Sequence, residues 1–365
     1  MSITGIGETV LDIVFRGGQP QAAVPGGSTF NAMISLGRTL GRKYPGVALR
    51  MVTQTGDDPV ADIVTAFMRE NRVSDEALVR SPGQSTVSLA LLDERSNAHY
   101  EFFRDRTLPA FEAPALDFGP GDIVLFGSFF AINPETREQT RALVREARAA
   151  GAVVYYDINF RKNHNAADSL PQIEKNIALS DIVRGSSEDI EALYGTTDAA
   201  AVYAAHIAPL CANFICTKGA RETEVFSPGV HLHFPVPQDT PVVSTIGAGD
   251  NFNAGVVYAL TTSWGSLELG LQERTLSGNA VPTPVTPSSE ATALPDMAPT
   301  EVRVPGHLQK HSPTGFLSAS ESALASGPAL RLSAADWSTI VPIAHAFSAN
   351  VVASLYNYVD PDFEP

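Results

Sequence analysis

Short apolar runs alternate with segments of helical periodicity along most of this chain, and each apolar run stops in polar residues. "DIVLFGS" (122–128) precedes the helical stretch "PETREQTRALVREARAAG" (134–151), and "AVVYYDIN" (152–159) follows. "DIVRGSSEDIEALYG" and "NFICTKG" continue the pattern. Buried strands alternating with helices predict an α/β fold, a doubly wound, mainly parallel sheet forming one domain over residues 1–365. Such sheets bind ligands just outside the carboxyl ends of their strands. Here those ends carry Gly127-Ser128, Asp157 with Asn159, Ser186 to Asp189, and Thr217-Lys218-Gly219, which predicts a cleft along that edge.

Two stretches do not fit the large sheet. "LDIVFRGGQPQAAV" (11–24) reads as an extended pair broken at Gly17-Gly18, and 85–105 contains two strands joined by a polar turn. Hairpins with so little core must cover something, so they are expected to form a small β-sheet lid over the cleft. A hairpin sheet with one apolar face often packs on a twin, which makes a homodimer through the lid the expectation. Residues 277–313 are dense in Pro, Ser, Thr and Ala without sustained period, the composition of a flexible insertion. Pattern resumes near residue 333, where Ser333 and Asp336 are spaced as a helix capping pair.

Composition excludes several classes of partner. Forty acidic residues against 25 basic ones give a net charge of −15, which argues against nucleic acid and against an anionic membrane surface. No segment has the apolar length of a membrane span, and the N-terminus enters a strand without a basic leader, so a cytoplasmic protein is expected. The two cysteines, Cys211 and Cys216, match no common metal or redox spacing and read as core thiols.

The chemistry concentrates in "VVSTIGAGDNFNAG" (242–255). It lacks the third glycine of a dinucleotide fingerprint and the lysine of a P-loop. Gly247, Ala248 and Gly249 can still aim their amides at one point where a helix starts, forming an anion hole. Beside that hole stands Asp250, which would repel a statically bound phosphate. The pair suits phosphoryl transfer to a hydroxyl, with amides stabilising the moving group and Asp250 taking the proton. An alternative reading has Asp250 capping the helix and the glycines making a turn.

"VPGGSTFNAMISLGRTLG" (24–41) places Gly26-Gly27 ahead of a helix bearing Asn31, and "GETVLD" places Asp12 after the first strand. Together with the G-A-G-D loop about two hundred residues later, this constellation resembles the ribokinase-like (PfkB-type) carbohydrate kinases over residues 3–270 and 333–359. The phrases "YYDINFR" and "DIVRGSSED" look most like the bacterial fructokinase branch. The resemblance implies Asp250 as catalytic base with Gly247, Ala248 and Gly249 as the anion hole. It implies sugar binding by Asp12, Gly26, Gly27, Asn31 and Asn159. It places Arg161, Thr217, Gly219 and Asn350 (in "FSANVVAS") on the ATP side. The family's magnesium motif aligns with Ser186–Asp189, leaving Glu188 and Asp189 to act through metal-bound water; the alternative is that Ser186 and Asp189 cap the helix that follows. Ser244-Thr245 stands where many members carry Asp-Thr, which leaves potassium dependence open. Arg104 after Phe102-Phe103 either meets a phosphosugar or faces water, and alternation lets only one of the two phenylalanines face the sugar.

The expected function is therefore an ATP- and Mg²⁺-dependent sugar kinase acting on a primary hydroxyl, fructose first. Ribose, a nucleoside, 2-keto-3-deoxygluconate or a phosphosugar are same-fold alternatives, and a sugar-sensing binding protein that has lost catalysis is the alternative of another class.

Overall fold

The computed structural model describes residues 1–93, 98–160, 164–263, 330–354 and 356–365. The expected insertion over 277–313 and Arg161 lie outside those residues. In chain order the strands are β1 (Ser2–Ile6), β2 (Val10–Arg16), β3 (Gln19–Gly26), β4 (Ala48–Gly56), β5 (Leu78–Ser81), β6 (Val87–Leu92) and β7 (Ala98–Phe103). They continue with β8 (Ile123–Gly127), β9 (Val153–Asp157), β10 (Ile182–Ser186), β11 (Asn213–Thr217), β12 (Glu222–Ser227) and β13 (Val230–Pro235). Among the described residues the α-helices are α1 (Ser28–Lys43), α2 (Pro59–Glu70), α3 (Arg137–Ala149), α4 (Ala166–Ala178), α5 (Ser187–Tyr194), α6 (Ala199–Val202), α7 (Ala248–Thr262) and α8 (Ala334–Val352).

Nine strands form one sheet in the order β13–β12–β11–β10–β9–β8–β1–β4–β5. Pairing is parallel from β11 to β5, and only β12 and β13 join antiparallel at the edge. The chain starts mid-sheet at β1, builds outward to β4 and β5, and then returns to the opposite side of β1 for β8. That reversal opens a crevice at the carboxyl ends, the place where such sheets take ligands.

The central strands are buried on both faces, and their side chains alternate between two cores. Ile3, Leu125, Val153, Tyr155 and Ile215 join the core under α1, α7 and α8, while Val124, Phe126, Val154, Tyr156 and Phe214 join the one under α3, α4 and α5. This period of two across a doubly covered sheet explains why the strands read as unbroken apolar runs. Cys211 and Cys216 are buried in the second core. Burial pushes their thiols up to about 12 and about 11, so neither is a thiolate at neutral pH.

The smaller sheet has the order β3–β2–β6–β7. Gly17 and Gly18 join β2 to β3 with φ of 60° and 76°, the two positive values that a tight hairpin turn requires. At the other end β3 runs to Gly26, directly into the start of α1. Ser333 and Asp336 form a complete capping box on α8. Among the described residues no helix is long and apolar enough to cross a membrane.

Candidate active site

The two glycine segments meet although more than two hundred residues separate them. Gly27 caps α1 with φ 122°, and its hydrogen-for-side-chain position lies hard against the Glu8 carbonyl, so only glycine fits there. This turn aims the first residues of α1 at the start of α7. Ser28 Oγ donates to Asp250 Oδ1 at 2.7 Å, and Asn31 Nδ2 donates to Asp250 Oδ2 at 2.8 Å. A carboxylate at a helix N-terminus is stabilised in its charged form by the helix dipole and by such donors. Asp250 is half-buried at the cleft edge.

Gly247 turns the chain into α7 with φ 76° and carries no capping side chain. The first helical bond runs from Asn251 N–H to the Gly247 carbonyl at 2.9 Å. Ala248 N–H lies 3.4 Å from the Thr245 carbonyl, at the outer limit of a hydrogen bond. The amides of this first turn have no carbonyl four residues back within the helix.

Beneath that turn lies a side chain on which the sequence reading placed no role. Arg184, near the end of β10, pairs with Asp157 at 3.0 Å and donates to Thr217 Oγ1 at 2.6 Å. Burial alone would lower its pKa, but the charges of Asp157 and Asp189 outweigh it and hold the guanidinium above its ordinary value. Its Nε is buried without a hydrogen-bond partner. A side chain on Gly249 would begin 3.0 Å from Arg184 Nη2, so the glycine lets the helix start settle onto the guanidinium. Asp157 also accepts from Asn253 Nδ2 at 2.8 Å, and Asn253 in turn accepts from Tyr155 OH at 2.8 Å. The carboxyl ends of β9, β10 and β11 are thereby tied to α7.

On the small-sheet side, Asp12 is buried, accepts from Ser88 Oγ, and has its other oxygen directly under Gly26. Asp12, Gly26 and Gly27 thus form a continuous wall leading to Asn31 and Asp250. Asn159 sits just past β9, half-buried, with φ 36°, a left-handed value that asparagine tolerates better than most residues. A cavity of about 980 Å³ opens where the ends of β6 and β7 meet the segment after β8, and its lining includes Glu8, Phe102, Phe103, Arg104 and Phe129. Phe102 and Phe103 both border it, although they are consecutive residues of β7 and alternation turns their side chains to opposite faces. Arg104 makes a two-pronged pair with Glu8 at 3.0 and 3.1 Å and lies over the rings of Phe102 and Phe129. Asp250 and Asn31 are not among the lining residues of this cavity.

The remaining expected positions fall as follows. Thr217 is half-buried at the end of β11, and Gly219 follows with φ 59° and open space around its Cα. Asn350 lies near the end of α8 and accepts the Asp360 N–H at 2.8 Å through its side chain. Asp189 completes a capping box on α5 with Ser186 and also accepts the Phe160 N–H at 2.8 Å. Burial raises its pKa, with Arg184 opposing. Both Asp189 oxygens are therefore committed to donors of the fold, while Glu188 beside it is exposed.

A second unforeseen cluster braces α7 from behind. Asn251 donates to the carbonyls of Gly247 and Asn357, both at 2.8 Å, and accepts from Ser35 Oγ. Tyr358 OH donates to the Pro25 carbonyl at 2.8 Å, one residue before the Gly-Gly turn.

The family model described as pfkB family carbohydrate kinase matches residues 16–282. A fructokinase of Rhizobium leguminosarum bv. trifolii is 28% identical over 265 residues, covering 70% of this chain and 78% of that protein. Among solved structures, an aminoimidazole riboside kinase from Salmonella enterica, complexed with aminoimidazole riboside and an ATP analog, superposes with a TM-score of 0.61 at 22% identity. That match covers 72% of this chain and 85% of the other. A fructokinase double mutant from Vibrio cholerae, in a form bound to fructose, ADP and potassium ion, superposes with a TM-score of 0.62 at 22% identity, covering 71% and 83%.

Proposed function

Because this chain belongs to the pfkB family of carbohydrate kinases, we propose that it transfers the γ-phosphoryl group of ATP to a primary hydroxyl of a sugar, with fructose as the leading acceptor. The observation that carries the reading is the placement of Asp250, fixed by Ser28 and Asn31 at the very start of α7. Asp250 takes the proton as the hydroxyl oxygen attacks the γ-phosphorus. The bond from that phosphorus to the bridging oxygen breaks, and ADP leaves with the electron pair. The amides of Gly247, Ala248 and Gly249 stabilise the charge spread over the transferring group, a contribution that fixed dipoles make without reorganising.

Asp12, Gly26, Gly27, Asn31 and Asn159 hold the sugar hydroxyls in this reading. Thr217, Gly219, Asn350 and Arg161 serve the nucleotide side, which extends along the ends of β10 and β11. Arg184, under Gly249, adds a buried positive charge behind the anion hole. Magnesium would arrive with the ATP phosphates and would supply neutralisation of their charge. Asp189 does not fit as a direct ligand, because its oxygens already accept N–H and O–H donors; exposed Glu188 fits a contact through metal-bound water. Potassium is no part of this reading, because Ser244 puts a neutral hydroxyl, which accepts the Ile246 N–H at 3.2 Å, where many members of the family carry an aspartate.

The cavity favours one second reading. None of the proposed sugar-binding residues lines it, but Glu8, whose carbonyl lies against Gly27, borders it together with Phe102, Phe103, Phe129 and Phe130. A riboside carrying an aromatic base would stack there. A coupled assay of ADP release with fructose, ribose, aminoimidazole riboside, 2-keto-3-deoxygluconate and fructose 6-phosphate separates the readings. We expect the highest kcat/KM with fructose; turnover confined to the riboside replaces fructose as the acceptor. Sugar binding by calorimetry without ADP release under any metal or ATP condition returns the chain to a sugar-sensing role.

A further inference from the structure

The antiparallel edge of the large sheet carries a cluster that the kinase reading does not use. His231 and His233 are two residues apart on β13, so both imidazoles stand on the same face of the edge strand. Glu224 on β12 lies directly opposite His233 in the register and shares that face. The ligand atoms of Glu224, His231 and His233 all lie within 4.8 Å of one another, and His231 Nε2 is 2.9 Å from Glu224 Oε2. The carboxylate is buried while both imidazoles are exposed. Glu222 Oε2 lies 3.1 Å from His233 Nδ1, the carboxylate–imidazole pairing that orients metal-bound histidines.

We propose that Glu224, His231 and His233 form a site for a zinc-class divalent metal ion on this edge. Two nitrogen donors and one carboxylate select zinc, cobalt or nickel over magnesium and calcium, which prefer oxygen ligands. A zinc ion holds such ligands at about 2.0–2.2 Å, so they stand about 3.4 Å apart around it, a modest contraction for side chains on an exposed strand. The cluster already attracts a cation: the Lys218 ammonium pairs with Glu224 and, at 3.3 Å, with Glu222. Metal binding exchanges that ammonium for a doubly charged ion with directed bonds. Lys218 adjoins Thr217 and Gly219, so the exchange alters charge beside the proposed nucleotide edge. The site itself stands on the geometry of β12 and β13 and does not depend on the kinase chemistry.

Titration of the untagged full chain with Co²⁺ tests it, read by the visible absorption of nitrogen- and oxygen-bound tetrahedral cobalt. About one equivalent is expected to saturate the signal. The His231→Ala/His233→Ala double variant, altered only at exposed positions, should weaken binding roughly tenfold or more. Lys218→Met removes the competing ammonium and should tighten binding roughly two- to fivefold, the worth of one ion pair near the surface. A native chain without saturable cobalt absorption overturns the proposal, as does a signal that survives intact in the double variant.

Discussion

Asp250 accepts from Ser28 and Asn31 at once, and both donors come from the first turn of a helix that begins beside the proposed sugar wall. Such donors fix the direction of the carboxylate, which a proton acceptor needs. Asp250→Asn preserves the shape and removes the base. Turnover is expected to fall by roughly two to four decades, the usual worth of general base catalysis, with sugar affinity by calorimetry within a few-fold of the native protein. Near-native turnover would take Asp250 out of the reaction. At this scale the sequence was informative wherever chemistry is local: Gly247, Gly249 and Asp250 are adjacent, and Gly26, Gly27 and Asn31 lie within six residues. Arg184 was not legible, because its partners Asp157 and Thr217 lie about thirty residues away in either direction and become its neighbours only through strand pairing. In the sequence it looks like one more residue near a strand end.

Between elements, the contact of α8 with the antiparallel edge carries a pH dependence. His345 is buried on α8, with Nε2 3.0 Å from Thr223 Oγ1 on β12, and burial lowers its pKa below the ordinary 6.5. The unfolded chain then takes up a proton near pH 6.5 while the folded one does not. Stability is therefore full above that pH and declines as the pH falls below it, until the folded pKa is reached. The slope for one such proton is at most about 1.4 kcal/mol per pH unit. Thermal unfolding from pH 7.5 to 5.5 should fall less steeply in His345→Gln than in the native chain; parallel profiles would assign the acid sensitivity elsewhere. Element identity was readable from period: doubly buried strands gave apolar runs, and the Gly17-Gly18 pair announced its hairpin. The role of Asp189 was divided between capping and metal in the sequence. Geometry supplies the capping box through one carboxylate oxygen and gives the other to the Phe160 N–H.

Across the molecule, strand order was the part least legible, since nothing in a parallel strand names its neighbour. The placement of β1 between β4 and β8 creates the crevice, and only the folded sheet displays it. The same holds for residues 357–359, whose partners lie one hundred to more than three hundred residues earlier in the chain. Asn357 braces Asn251 and crowds Gly247, Tyr358 holds Pro25, and the Val359 N–H donates to Ser35 Oγ at 3.1 Å. A variant lacking residues 356–365 should lose turnover by more than tenfold, with melting lowered by several degrees, since buried Tyr358 alone contributes on the order of 2 kcal/mol. Unchanged turnover in that variant would make the segment a bystander. The bracing also imposes an order of events on biosynthesis. The Gly26-Gly27 turn is synthesised more than three hundred residues before Tyr358, so in the nascent chain that turn stays without its brace until the distant tyrosine has followed it.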